Sequence, residues 1–204
     1  VLRSDASKEG THMPGLGGAN GGAGRRYPTD TSLSPAELEI PIPATEFAAF
    51  FGEVEVFGDD VPDEALAYAG VDALSTADSL TEEAANVPAM QLIYRRLQEL
   101  PQWARIKRRL VLAHESGYLN VMADAFSRGY FRLARDLCAQ LGMAYELRRS
   151  GPRLAALMRE LAAMYSVAPS RPPRGASSSH PPSPPPSPPQ VSGPTVCCET
   201  TCAA

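Results

Sequence analysis

Lysine is nearly missing from this sequence: only Lys8 and Lys107 are lysine among 19 basic residues, and the other 17 are arginine. The 204 residues include one tryptophan, three histidines and four cysteines. Four cysteines are too few and too badly placed for a disulfide scaffold. Cys138 stands alone in a helical pattern, while Cys197, Cys198 and Cys202 crowd the last eight residues. A reduced, intracellular setting is therefore expected, with no secretion. The tail cysteines lack zinc spacing and histidine partners. Cys202 lies third from the end rather than fourth, so prenylation is not expected either. No apolar run approaches the roughly 18 residues that a membrane span needs. The best candidate, Leu154 to Tyr165, carries Arg159 and Glu160 at its middle. The opening Val1-Leu2-Arg3-Ser4-Asp5 has no apolar leader region. The chain begins with Val rather than Met and reads as a piece of a longer product. The glycines follow no period, which excludes a collagen-like chain, and 44% apolar residues exclude wholesale disorder.

The charge that is present is unevenly spread. The net charge is −4, yet residues 1–90 hold 4 basic and 16 acidic groups, and residues 91–160 hold 13 basic and 6 acidic groups. An acidic half facing an arginine-rich half suits a site that holds metal beside a nucleic-acid backbone. Arginine offers a planar fork that matches phosphate. The same asymmetry also arises from solvated helix faces.

The sequence divides by composition. Residues 1–6 read as the end of a strand, and the glycine-rich stretch 10–30 allows only weak strands. A helix is expected over 45–57, where Phe47, Phe50, Phe51, Val54 and Phe57 recur at helical spacing. Residues 65–72 and 110–114 read as buried strands, and 74–86 and 88–100 as helices broken at Val87-Pro88. A long helix is expected over 120–141, then an amphipathic one over 153–165. Residues 169–194 contain 11 prolines with serine between them. That composition predicts a disordered polyproline-type tail over 169–204, a linker or a docking segment.

The most informative segment is His114-Glu-Ser-Gly117-Tyr-Leu-Asn120-Val-Met-Ala123-Asp124-Ala-Phe-Ser127-Arg128. It runs from strand through loop to helix start. The pattern H-x-x-G-x-x-N-x-x-A-D-x-x-S-R resembles the last motif of the ribonuclease H domain of retroelement polyproteins, where it follows the reverse transcriptase. Read without that resemblance, it is a strand-to-helix turn with Asn120 as N-cap and Asp124 near the positive helix end.

The resemblance implies a mixed five-stranded sheet flanked by helices, an α/β fold, over residues 1–142. Residues 143–168 would then be a helical extension. It also implies hydrolysis of the RNA strand of RNA–DNA hybrids with two Mg²⁺ ions, or Mn²⁺ in their place. Hard oxygen ligands must converge on those ions from separate elements. The family places Asp on the first strand, Glu on the first helix, Asp at the end of the fourth strand and Asp on the last helix. The matching positions here are Asp5 in VLRSDAS, Glu46 in IPATEFAAFF, Asp72 in YAGVDALST and Asp124. Val71 and Ala73 depart from the family's usual flanks, and Asp78 is a rival for Asp72. His114, ten residues before Asp124, corresponds to the loop histidine that assists product release and proton transfer; Glu115 beside it can alter its basicity. Arg95, Arg96, Arg105, Lys107, Arg108 and Arg109 form a candidate phosphate grip, joined by Asn120 and Arg128. Trp103 is expected in the core. The rival reading is an inactive ribonuclease H-like remnant, or a nucleic-acid-binding module of a degenerate polyprotein.

Overall fold

The computed structural model describes residues 1–8, 12–83, 85–115 and 120–166. The chain forms two units, 1–169 and 170–204. The second unit and the expected proline-rich tail lie outside the described residues.

The sheet is built from β1 (Leu2–Ser7), β2 (Gly15–Asn20), β3 (Ala23–Tyr27), β4 (Ala67–Val71), β5 (Leu110–His114) and β6 (Glu146–Arg149). Their order is β5-β4-β1-β2-β3-β6. The first three strands form an antiparallel meander. The other three join in parallel, β4 to β1, β5 to β4 and β6 to β3. The expected five-stranded sheet therefore has a sixth strand. The polar segment ELRR gave no apolar alternation to announce it, because edge strands need none.

The helices are α1 (Pro35–Leu38), α2 (Ile42–Phe57), α3 (Leu74–Thr81), α4 (Pro88–Gln98), α5 (Pro101–Ile106), α6 (Val121–Ser127), α7 (Phe131–Gln140) and α8 (Pro152–Ser166). None among the described residues is long and apolar enough to cross a membrane. On one face of the sheet α2 packs against β1 and β2, with α4 and α8 against α2. Phe47, Phe50, Phe51, Val54 and Phe57 of α2 fill this core with Leu2 and Leu16 from the sheet. Trp103 meets the Phe50 ring edge-on at 6.2 Å and is buried as expected. Leu154, Leu157, Met158 and Leu161 of α8 belong to the same core. Residues 143–166 are thus a strand and a helix of the one compact unit rather than a separate helical extension.

The opposite face carries α6 and α7, over a small cluster of Ala19, Ala125, Phe126 and Ala134. The expected single helix over 120–141 breaks at Gly129, which adopts φ +74, a left-handed conformation that glycine tolerates. Glycine also explains why the weak-looking stretch 15–27 forms two good strands. A Cβ at Gly17 would run into the backbone of Ser127 and Ala123, and one at Gly24 into the Phe126 ring. The bare strands let α6 sit directly on the sheet.

One ion pair is sealed beneath α2. Arg25 and Glu53 are both fully buried with their charged atoms 3.5 Å apart. Arg25 also donates to the Ala49 carbonyl. Burial outweighs the arginine's attraction and pushes Glu53 up to about 8.

The close seating of α6 predicts a sharp contrast between two glycines. Gly17→Ala should lower unfolding free energy by about 2–3 kcal/mol or more, since the clash is with backbone. Gly21→Asn should cost less than about 1 kcal/mol, because Gly21 faces open space and asparagine tolerates its positive φ. Urea unfolding of both variants checks this; equal losses would contradict the packing.

Candidate active site

Four of the expected carboxylates come from four different elements to one cavity. Asp5 is the fourth residue of β1, a central strand paired on both sides. Asp72 follows the last residue of β4, the parallel neighbour of β1. Glu46 lies in the second turn of α2, and Asp124 in the first turn of α6. The two helices cover opposite faces of the sheet, so their carboxylates meet over the end of β1. A cavity of about 440 Å³ is lined by Asp5, Ala6, Glu46, Asp72, Val121, Asp124 and Arg128. Asp78 is exposed on α3 and does not line it.

Local hydrogen bonds hold three of the four carboxylates in place. Ser127 donates its hydroxyl to Asp5 Oδ2. The Ala6 amide donates to Glu46 Oε2 at 3.1 Å, tying α2 to the end of β1. Arg128 Nε donates to Asp124 Oδ1 at 2.6 Å, one helical turn on. Asn120 does not cap α6 with its side chain. It is fully buried and donates to the Ser4 carbonyl at 2.8 Å, locking the start of α6 to β1. Asn120 is therefore a structural clamp and not a residue open to nucleic acid. Its Oδ1 has no protein partner among the described residues.

The electrostatics are strained in one direction. Asp5 is only 4% exposed. Burial pushes its carboxyl up to about 7, against the Ser127 hydrogen bond, with Asp124 and Asp72 repelling it further. Burial, then repulsion from Asp5, raises Glu46 well above the usual carboxylate range. Among the described residues, Arg128 is the one cation in the cavity lining. The donor set is four carboxylates with no soft ligand, which suits a hard divalent cation such as Mg²⁺ or Mn²⁺. Among the described residues no three or more His, Cys, Asp or Glu side chains stand close enough together to hold one metal ion. The four share a cavity rather than a single point.

His114 ends β5 opposite Val71, the residue before Asp72. It is exposed and is not part of the cavity lining. Residues 116–119, which follow it in the motif, lie outside the described residues. Glu115 turns away from the role expected of it. It accepts from Arg3 Nε at 2.9 Å and from the Tyr68 hydroxyl at 3.0 Å.

The arginine cluster is elsewhere. Lys107, Arg108 and Arg109 precede β5 and so lie at the start of the parallel strands, whereas the carboxylates lie at their ends. Five residues of strand separate the two, about 16 Å. Arg105 pairs with Asp59 and Asp63, and Arg109 donates to the Pro62 and Ala65 carbonyls. Arg96 pairs with Glu160 and Glu99. Arg95 is exposed on α4. Arg96, Arg105 and Arg109 brace a helix and an acidic loop, and none of the six borders the cavity. Only Arg128 of the expected phosphate-gripping residues does. Ser127 was part of the motif, but its bond to Asp5 needed the strand and helix to be placed in space.

No family model, curated protein or solved structure matches this chain.

The raised carboxyls predict an inverted acid response. A carboxyl whose pKa is higher folded than unfolded holds extra protons when folded, so its stabilisation is lost as pH rises. For Asp5 the window runs from about 4, its ordinary value, to about 7. The metal-free protein should therefore melt at a lower temperature at pH 8 than at pH 5. Asp5→Asn, which cannot ionise, should melt higher than wild type at pH 8 and show a flatter profile. Identical pH profiles for the two would contradict the burial of Asp5.

Proposed function

We propose that this domain hydrolyses the RNA strand of RNA–DNA hybrids within a retroelement polyprotein, with a reverse transcriptase domain upstream. The observation that carries this reading is the meeting of Asp5, Glu46, Asp72 and Asp124 in one cavity from a strand, two helices and a strand end. Those are the four kinds of position that the resemblance of the His114–Arg128 motif implies. The α/β architecture, with helices on both faces of a mixed sheet, agrees with a ribonuclease H-like fold and adds β6 to it.

The four carboxylates would hold two Mg²⁺ ions, or Mn²⁺. When bound, such ions polarise phosphate and generate hydroxide from water near neutral pH. The protein's own part is to position and to desolvate. Ser127 keeps Asp5 from rotating, and the Ala6 amide does the same for Glu46. Arg128 holds Asp124 at the rim and offsets its charge as a phosphate approaches. His114, exposed at the end of β5 opposite Val71, would take up or return a proton from the solvent side. Bare carboxylates repel a phosphodiester, so hybrid enters the cavity only with cations present.

Asp124→Asn keeps shape and removes charge. Release of labelled RNA from a hybrid should fall at least about 10²-fold in Mg²⁺, the equivalent of about 2.7 kcal/mol. Hybrid binding in chelator should stay the same or tighten. His114→Ala should cost less, about tenfold, because it moves a proton and holds no ion. Equal release by wild type and Asp124→Asn would contradict the proposal.

A further inference from the structure

We infer that Arg128 is a resident counter-cation: it holds Asp124 in the metal-free domain, yields it to an arriving divalent ion, and then grips a phosphate of the hybrid. This deepens the proposed function and rests on it, since it concerns how the same cavity fills.

The inference starts from the different ways the carboxylates are held. The donors to Asp5 and Glu46 are neutral, a serine hydroxyl and a backbone amide. Each engages one oxygen and can stay while the other oxygen takes a cation. Among the described residues, Asp124 alone of the four forms an ion pair. Arg128 Nε lies 2.6 Å from its Oδ1, at the i,i+4 spacing of one helical turn. This pair is not sealed as the Arg25–Glu53 pair is: its side chains are 37% and 30% exposed. Ions in solution reach both partners, and the pair can open without disturbing the core.

Charge decides which cation keeps Asp124. A divalent ion carries more charge than a guanidinium and gathers several carboxylate oxygens at once. It also repels Arg128 at close range. While Arg128 holds Asp124, the described acids do not stand close enough to share one ion. Turning Asp124 from Arg128 toward the other three closes that gap. Arg128 engages Asp124 through Nε alone, so the two terminal amino groups of its fork are unspent. It caps the end of α6, directly before the break at Gly129, and lines the cavity. Once Asp124 has gone to the ion, an unpaired guanidinium remains at the cavity wall. Such a fork pairs with two phosphate oxygens at once. The cation therefore binds first and the hybrid second.

The test is binding of Mn²⁺ alone to the full chain, read from the loss of the free ion's electron paramagnetic resonance signal, in a double-mutant cycle. Arg128→Gln should raise Mn²⁺ affinity about tenfold, a common size of coupling between residues in contact. In the Asp124→Asn background the same change should raise it about twofold or less, because no carboxylate is left to release. Arg128→Lys keeps the charge and should stay within about threefold of wild type. Arg132→Gln removes an equal charge from an exposed site outside the cavity lining and should change nothing. Melting temperatures check that the variants fold. No gain in Arg128→Gln, or equal gains in both backgrounds, would overturn the exchange. The grip is read with a fluorescent hybrid in Ca²⁺, another oxygen-seeking divalent ion. There Arg128→Gln should weaken hybrid binding about tenfold even though it holds the ion more tightly. Hybrid binding as tight as wild type would overturn the grip. A wild type that binds no Mn²⁺ would overturn the cation site itself, whereas Mn²⁺ binding without coupling between the two mutations would leave that site standing and remove the exchange alone.

Discussion

The burial of two carboxylates, Asp5 and Glu46, beside further acids is the constraint around which this domain is organised. Both are buried deeply enough that their charged forms are disfavoured. A fold that only needed stability would not place them together. The surrounding structure supplies compensation in kind. The Ser127 hydroxyl and the Ala6 amide each satisfy one carboxylate, and Arg128 balances a third. The Ser127 and Arg128 contacts depend on α6 lying flat on the sheet, and that in turn requires Gly17 and Gly24 beneath it. The glycine-rich strands, the buried Asn120 clamp and the break at Gly129 all serve that seating.

Much of this was legible in the residues. The run of phenylalanines at helical spacing marked α2, and the apolar stretches at 65–72 and 110–114 marked β4 and β5. The order of the acidic residues pointed to the group that lines the cavity. What stayed hidden shares a cause. Glycine weakens a strand in isolation, so nothing local showed that β2 and β3 are stabilised by what packs on them. β6 is short, polar and at an edge, and its pairing with β3 spans more than 120 residues. The Arg25–Glu53 pair likewise joins a strand to a helix that lie far apart in sequence.

The arginines were the least legible feature. Spacing alone grouped Arg105 to Arg109 as one basic patch. In space Arg105 and Arg109 brace the acidic loop at 59–63, a local charge balance that clustering in sequence cannot distinguish from a ligand site. In the 143–166 region, which the ribonuclease H resemblance does not cover, Arg149 is exposed and ends the register row that starts at Asp5. The extra strand and helix thus complete the core on one side and carry positive charge to the row of Asp5.

The central claim is that Asp5, Glu46, Asp72 and Asp124 form a divalent-cation site. Crystals grown with Mn²⁺ and measured by anomalous diffraction test it most directly. The account predicts two anomalous peaks in the cavity, about 3.5–4 Å apart, with all four carboxylates turned inward. Peaks confined to the protein surface, or a cavity that stays closed to Mn²⁺ with Arg128 folded over Asp124, would contradict it.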